Sequence, residues 1–377
     1  MKKLKLFLLA GAILMLAAPV CAWGAPAGSK ATGAKLPTYK KVVVRTVDVS
    51  TRDKFSTSMA AHLEEAAKKA SKTTQYKIVI PPGTYTARYG QNVPSNTWIY
   101  AKGATIRALK GKKRMVLLTN QKFGKATENI KIEGGTWDTT TQSVNDSPET
   151  APFRFAHTKN LIFQDMTIKC NRKAHLIELA DINRLTVKGC KISGNHRYSG
   201  VQPKEAIQLD VATEKAMVNM RPYNGKGCHN VIIENNRFNN VARGVGSHNE
   251  KEKIVEANPY THVTVKNNSF NNLKAEAVFI TWWQYCTVEK NTVENGQRAG
   301  VYMESSSKVR VTNNNIKKIT AFSGDRRRTY GSATAGIILR GSHKNYIRNN
   351  TVSRCKGKIV RKENICRGNS IKNNKKK

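Results

Sequence analysis

One short phrase recurs along this 377-residue chain and narrows what it can fold into: an apolar alternating run, then two asparagines, then one polar and one apolar residue. It reads Ile232-Ile233-Glu234-Asn235-Asn236-Arg237-Phe238, then Val263-Thr264-Val265-Lys266-Asn267-Asn268-Ser269-Phe270, then Val309-Arg310-Val311-Thr312-Asn313-Asn314-Asn315-Ile316. Shortened copies are Thr287-Val288-Glu289-Lys290-Asn291-Thr292-Val293 and Tyr346-Ile347-Arg348-Asn349-Asn350-Thr351-Val352. Leu161 to Ile168 and Leu185 to Ile192 fit the same frame with the asparagines replaced. Measured on the second asparagine, the steps are 268−236 = 32, 291−268 = 23, 314−291 = 23 and 350−314 = 36. Periods of that size belong to solenoids.

Alternation at period two, with Val, Ile and Thr dominant, makes each unit a strand. Asparagine suits the corner because it tolerates left-handed backbone, and its amide can bond the copies above and below. One coil cannot bury its own apolar face, so stacked coils must share a continuous core. The fold expected is all-β: a single-stranded parallel β-helix.

These residues resemble the pectin lyase-like, right-handed parallel β-helix proteins. The likeness includes Ile78-Val79-Ile80-Pro81-Pro82-Gly83-Thr84-Tyr85, then Val93-Pro94-Ser95-Asn96-Thr97 and Gly103-Ala104-Thr105-Ile106, and covers roughly residues 42 to 353. It implies fold more than activity, since this fold serves polysaccharide lyases, glycoside hydrolases, uronan epimerases and non-catalytic surface proteins.

The N-terminus reads as a secretory signal over residues 1–22: Lys2, Lys3 and Lys5, the apolar run Leu6 to Ala18, and small residues permitting cleavage before Trp23. That run is too short to cross a bilayer comfortably. Residues 23–40, rich in Ala, Gly, Pro and Lys, read as a flexible leader. The expectation is a secreted, monomeric protein with no membrane span. Of the six later cysteines, Cys355 and Cys366 are the one sequence-local pair worth testing as a disulfide, and buried thiols are otherwise expected.

Without the three signal lysines the chain holds 65−3 = 62 basic residues against 25 acidic ones, a net charge near +37. For an exported protein this implies anionic surroundings, or a charge that serves solubility and envelope adhesion. No nucleic-acid-binding signature is present, so an acidic polysaccharide is the expected partner and nucleic acid is not.

Ser58 to Ser71 carries Met59, Leu63, Ala66, Ala67 and Ala70 at helical spacing, which predicts a short helix near 58–71 capping the open end of the solenoid. The β-helix domain is then expected over 41–366, with 367–377 a basic tail. Inserts at 139–152, 195–204, 211–228, 249–260 and 321–333 are candidates to surround a ligand.

A second strand in each coil sets the register. Aligning Ile177, Ile207, Val245, Val278, Val301 and Ile337 as an inward stack puts Glu178, Gln208, Gly246, Phe279, Tyr302 and Ile338 outward. Two residues on, a further outward column holds Ala180, Asp210, His248, Thr281, Glu304 and Arg340. Mixed carboxylate, imidazole and aromatic residues fit carbohydrate chemistry, and a structural charged ladder is the competing reading. With coils ~4.8 Å apart, Glu178 and Asp210 would lie about 8 Å apart at the backbone, inside the roughly 6.5–9.5 Å range of an inverting glycosidase pair.

In a hydrolytic reading, Glu178 and Asp210 are acid and base in unassigned order, with His248 as orienter. In an elimination reading, Arg243 or Arg340 holds a uronate and His248 or Tyr302 takes a proton. Glu304 shares the catalytic column. Glu205, Arg243 and Glu276 start their strands, where a turn can redirect them, and with Gln208 and Arg340 they are candidate substrate-binding residues. Trp282 and Trp283 are candidate sugar-stacking residues. Gln208-Leu209-Asp210 followed one coil later by Gly246-Ser247-His248 is similar to pectin-degrading hydrolases, but their Asn-Thr-Asp, Asp-Asp and Arg-Ile-Lys motifs are missing. No cofactor is required by this reading. Calcium, used by lyases of the fold, would lack a dense Asp cluster. The rival class is a non-catalytic surface protein that adheres to anionic glycans.

Overall fold

The computed structural model describes residues 30–51, 53–110, 116–123, 126–141, 151–170, 174–195, 202–248 and 252–377. The expected signal segment lies outside them. Each coil contributes three strands, as in His229–Glu234, Arg237–Val241 and Arg243–Ser247, and each strand pairs in parallel with its equivalent in the next coil. The result is a three-faced parallel β-helix. The twelve-residue strands Phe153–Gln164 and Ile177–Lys188 run continuously around one corner and join two of the faces into one sheet.

The paired asparagines divide their work at that corner. Asn235, Asn267, Asn313 and Asn349 take the left-handed backbone, with φ of 57°, 55°, 57° and 57°. The second asparagine of each pair turns inward and forms a ladder. Asn236, Asn268, Asn291 and Asn314 each donate Nδ2 to Oδ1 of the next, at 3.0, 3.1, 3.0 and 2.9 Å. The same amide nitrogens cap the strand carbonyls of Val187, Ile233, Val265 and Val288, each at 2.9 Å. Polar groups turned inward are thereby satisfied within a column of identical side chains.

Between the faces, one apolar core runs the length of the described helix from Val47 to Cys355. It contains the aliphatic stack Ile177, Ile207, Val245, Val278, Val301 and Ile337 in the expected register. Phe238 and Phe270 stack on adjacent coils at 4.5 Å. The six cysteines among the described residues are all free, so Cys355 and Cys366 form no disulfide. Burial pushes the thiols of Cys190, Cys228 and Cys286 up to about 12, which keeps them protonated and inert.

Three boundaries differ from the sequence expectation. The helix spans Lys54–Lys69 rather than 58–71, because Phe55 and Ser56 extend its buried stripe through Met59, Leu63 and Ala66. Ser56 fastens it, accepting from the Arg88 and Gln91 nitrogens at 3.0 Å each through Oγ and its carbonyl. Residues 30–40, expected as leader, lie along the outer face: Ala34 N–H donates to Thr186 Oγ1 at 2.8 Å and Tyr39 Oη to Asn96 Oδ1 at 3.1 Å.

At the other end, the expected tail is a further coil. Strands Ser370–Lys372 and Lys375–Lys376 pair with Tyr346–Arg348 and Thr351–Ser353, and Asn350 donates to Asn374 Oδ1 at 2.9 Å. Ser370-Ile371-Lys372-Asn373-Asn374 is therefore one more copy of the repeat, 374−350 = 24 residues on. Among the described residues no helix is long and apolar enough to cross a membrane.

Candidate functional site

The two outward columns stand where period-two alternation puts them. Glu178 pairs in register with Gln208, Gln208 with Gly246, Gly246 with Phe279, Phe279 with Tyr302 and Tyr302 with Ile338. Ala180 pairs with Asp210, and Thr281 with Glu304 and then Arg340. Two inserts rise over these columns. Residues 211–228 fold Met217 and Met220 onto Ala156, Ala180 and Ala212, so Ala180 is roofed by a small second core. The helix Gly324–Tyr330 stands farther along, with Phe322 and Tyr330 over Arg298 at 5.9 and 5.3 Å. A cleft of about 340 Å³ lies here, lined by Glu178, Gln208, Asp210, His248, Phe279 and Glu304 and by residues of both inserts.

Beneath one side of the cleft runs a buried ladder, one residue per coil: a neutral His175, then Glu205, Arg243, Glu276 and Arg298 in alternating charge. Arg243 Nη1 lies 2.6 Å from Glu205 Oε1 and its Nη2 2.9 Å from Glu276 Oε2, while Arg298 Nη1 lies 3.2 Å from Glu276 Oε1. Both glutamates are fully buried. Glu205 reaches this position across Gly246, where any Cβ would stand 2.7 Å from Glu205 Cγ. Phe279 covers the Arg243 guanidinium at 3.8 Å, Tyr302 covers Arg298 at 3.9 Å, and the two rings stack 5.0 Å apart.

This overturns part of the expected binding set. Arg243 is engaged by two glutamates and capped by a ring, so its charge is already compensated and a uronate would have to compete with them. Glu205 and Glu276 are counter-ions of that arginine and do not face a ligand. Tyr302 is buried beneath the same stack, its phenol pushed up to about 12 by burial, and it does not supply a base. Trp283 is fully buried and donates Nε1 to Ser247 Oγ at 2.9 Å, and Trp282 packs against the main core. The Trp283 indole is therefore not placed to stack on sugar, whereas Trp282 is half-buried.

The cleft floor is built differently. Asp210, 1% exposed, accepts from the Val211 N–H at 2.8 Å through Oδ1 and from Gln208 Nε2 at 2.5 Å through Oδ2. Gln208 Nε2 also lies 3.0 Å from His248 Nδ1, and His248 Nε2 lies 3.0 Å from Glu205 Oε2. Asp210, Gln208, His248 and Glu205 thus form one chain from the cleft into the ladder. Burial works against a charge on His248, but the neighbouring Glu205 overcomes it and raises its pKa. Burial likewise opposes ionisation of Glu205, yet His248 and Arg243 hold its carboxyl well below the usual range. His175, also fully buried, is pushed down to about 3 by burial and stays neutral.

Glu178 is held from the coil before. Arg154 Nε lies 2.6 Å from Glu178 Oε2, and the same guanidinium donates to the Val218 carbonyl at 2.8 Å and the Ala216 carbonyl at 3.3 Å. Arg154 pairs in register with Glu178, so extending the outward column one coil upstream would have found it. Lys204 and Lys215, which also line the cleft, come from insert sequence that carries no register. At the far end, Glu304 accepts from Tyr302 Oη at 3.2 Å and lies 3.5 Å from Arg340 Nε. Arg340 is 44% exposed at its side chain and stays accessible. Among the described residues, no group of three or more His, Cys, Asp or Glu side chains could hold a metal ion.

Comparison with known proteins agrees with this architecture. Residues 224–325 and 254–377 match the family described as right handed beta helix region. A 185-residue stretch is 22% identical to the plasmin and fibronectin-binding protein A of Streptococcus pneumoniae, covering 44% of this chain and a quarter of that protein. Among solved structures, PfbA, a surface adhesin of Streptococcus pneumoniae, superposes with a TM-score of 0.62 at 15% identity, over 89% of this chain and 91% of that one. A hyperthermoactive exopolygalacturonase from Thermotoga maritima superposes with a TM-score of 0.53 at 12% identity, over 89% and 90% of the two chains.

Proposed function

We propose that this chain, a right-handed parallel β-helix of the pectin lyase-like fold, is an exported enzyme that hydrolyses an acidic polysaccharide in the cleft, with Asp210 and Glu178 sharing the acid and base roles. The observation that carries the reading is the chain Asp210–Gln208–His248–Glu205. A carboxylate held on both oxygens and backed by a buried relay is costly to build as mere surface. Lys204 and Lys215 around the same cleft suit an anionic chain. In hydrolysis, one carboxylate takes a proton from water as its oxygen bonds to the anomeric carbon. The other gives its proton to the leaving glycosidic oxygen.

His248 serves as a positioning residue, since both of its ring nitrogens are turned to Gln208 and Glu205. Elimination is the weaker version, because Arg243 and Tyr302 are committed elsewhere. The test is reducing-end release from a panel of polyuronates and sulfated glycans, read beside absorbance of unsaturated uronate. Reducing ends without that absorbance, lost by about 10²–10⁴ in folded Asp210→Asn and Glu178→Gln, are expected. Full activity in both variants would sink the assignment.

A second reading, a non-catalytic adhesin, is favoured by the superposition on a surface adhesin. It predicts glycan or host-protein binding with no product in either channel, unchanged by Asp210→Asn.

A further inference from the structure

The face carrying the asparagine-strand residues is divided in two along its length. On its N-terminal half, the outward column Ile162, Thr186, Ile232 is covered by residues 30–40: Gly33, at φ +61°, sits so close that a Cβ would stand 2.8 Å from both Ile232 Cδ1 and Thr186 Oγ1. The same column continues through Thr264, Thr287, Arg310 and Tyr346, where no described residue is laid over it. Beside it runs a corner column of left-handed residues, His262, Tyr285, Lys308 and Lys344, with φ of 57°, 56°, 57° and 54°.

The uncovered half has a distinct chemistry. Lys308 donates to Tyr285 Oη at 2.6 Å and lies over that ring at 4.5 Å, and His262 stacks on the ring at 5.9 Å. Arg310 and Arg348 both lie over Tyr346, at 4.7 and 3.8 Å. Among the described residues Lys308, Arg310, Lys344 and Arg348 have no ion-pair partner, although ion pairs are frequent elsewhere on this molecule. Cations parked on tyrosine rings keep their charge and lose part of their side-chain freedom in advance, so an anion arriving there meets donors already in place. Arginine on a planar support also presents the fork that a carboxylate or sulfate matches.

We propose that this half-face is a second binding surface, separate from the cleft, for a linear acidic polysaccharide bearing one carboxylate or sulfate per sugar. The unmatched cations fall in two successive coils ~4.8 Å apart, a spacing comparable with the advance of one sugar along an extended chain. A single-stranded nucleic acid would instead need open aromatic platforms on which to stack bases. Here the ring faces of Tyr285 and Tyr346 are taken by His262, Lys308, Arg310 and Arg348. Among the described residues no insert encloses this surface, so it holds polymer while the cleft acts on it. That use rests on the enzymatic reading, but the binding itself does not.

The test uses substitutions that the two columns already accept in neighbouring coils. Lys308→Asn matches Asn230 at the same corner position, and Arg310→Thr matches Thr264 and Thr287. Binding to immobilised polygalacturonate is measured by surface plasmon resonance over a salt series for the full chain and the double variant. The expected result is at least a tenfold loss and a shallower salt dependence in the double variant, with an unchanged melting temperature. Unchanged affinity in the double variant overturns the proposal. So does a tenfold loss confined to a single-stranded oligonucleotide probe or to fibronectin, which would assign the face to another class of partner. Failure of the cleft reading is seen separately, as absence of product with this binding intact.

Discussion

Glu205 and Arg243 occupy successive coils of the helix with Oε1 and Nη1 2.6 Å apart, and the glutamate is wholly shielded from solvent. Arg243 bonds Glu276 on its other side, so removing it strands two buried carboxylates at once. Breaking a buried pair from one side costs about 3–5 kcal/mol. Arg243→Ala is therefore expected to lose at least that much in urea unfolding. Arg340→Ala, which removes only a half-exposed partner of Glu304, should lose no more than about 1 kcal/mol. Equal losses would mean that the ladder contributes nothing special.

The asparagine ladder makes a second stability prediction. Asn291 donates to the Val265 carbonyl and to Asn314, and accepts from both the backbone and the side-chain nitrogen of Asn268. Asn291→Ala leaves several of these groups buried without partners, at about 1–3 kcal/mol for each unsatisfied group. Asn271 lies in a comparable ladder on the exposed surface, where water replaces what is lost. Asn271→Ala is expected to cost under about 0.5 kcal/mol, and thermal unfolding of the two variants checks the contrast.

Much of this was legible because a solenoid converts sequence period directly into position. Once Ile177, Ile207 and Val245 are aligned, the residues beside them are fixed on one face or the other, and the columns holding Glu178, Asp210 and Glu304 follow. The buried ladder was not legible. Glu205, Arg243 and Glu276 begin their strands, where a corner decides direction, and only the empty Cβ position of Gly246 admits the Glu205 side chain. The last coil was hidden by its lysines, which read as a tail although Ile371 and Asn374 keep the repeat. Residues 30–40 have the composition of a linker, and their attachment depends on a fit at Gly33 that no periodicity announces.

Gln208 is the least conspicuous member of the cleft chain and the most informative to change. Its amide nitrogen serves Asp210 and His248 together. Gln208→Leu keeps the volume and removes the bridge. A hydrogen bond to a charged group is worth about 1.5–3 kcal/mol, or roughly ten- to hundred-fold in rate. The expected outcome is a fall of that size in kcat with KM little changed, together with a displaced pH–rate profile. A loss in KM alone would make Gln208 a substrate contact rather than the residue that sets Asp210.

The insert over the cleft carries its own pH dependence. His157 Nδ1 lies 2.8 Å from Asp181 Oδ2 and its Nε2 3.0 Å from the Met220 carbonyl, so each ring nitrogen faces an acceptor and the doubly protonated ring satisfies both. Burial opposes that charge and Lys226 adds to the opposition, but the hydrogen bond to Asp181 overcomes them and raises the pKa above 6.5. A raised pKa means that the stabilisation is fully present below about 6.5, the unfolded value, and is lost as pH rises through the folded value. Met220 belongs to the insert whose Ala216 lines the cleft, so the loss falls there. Proteolysis within residues 211–228 should accelerate as pH rises above about 6.5 in the wild type and stay level in His157→Gln. Parallel pH slopes in the two proteins would show that His157 does not hold the insert.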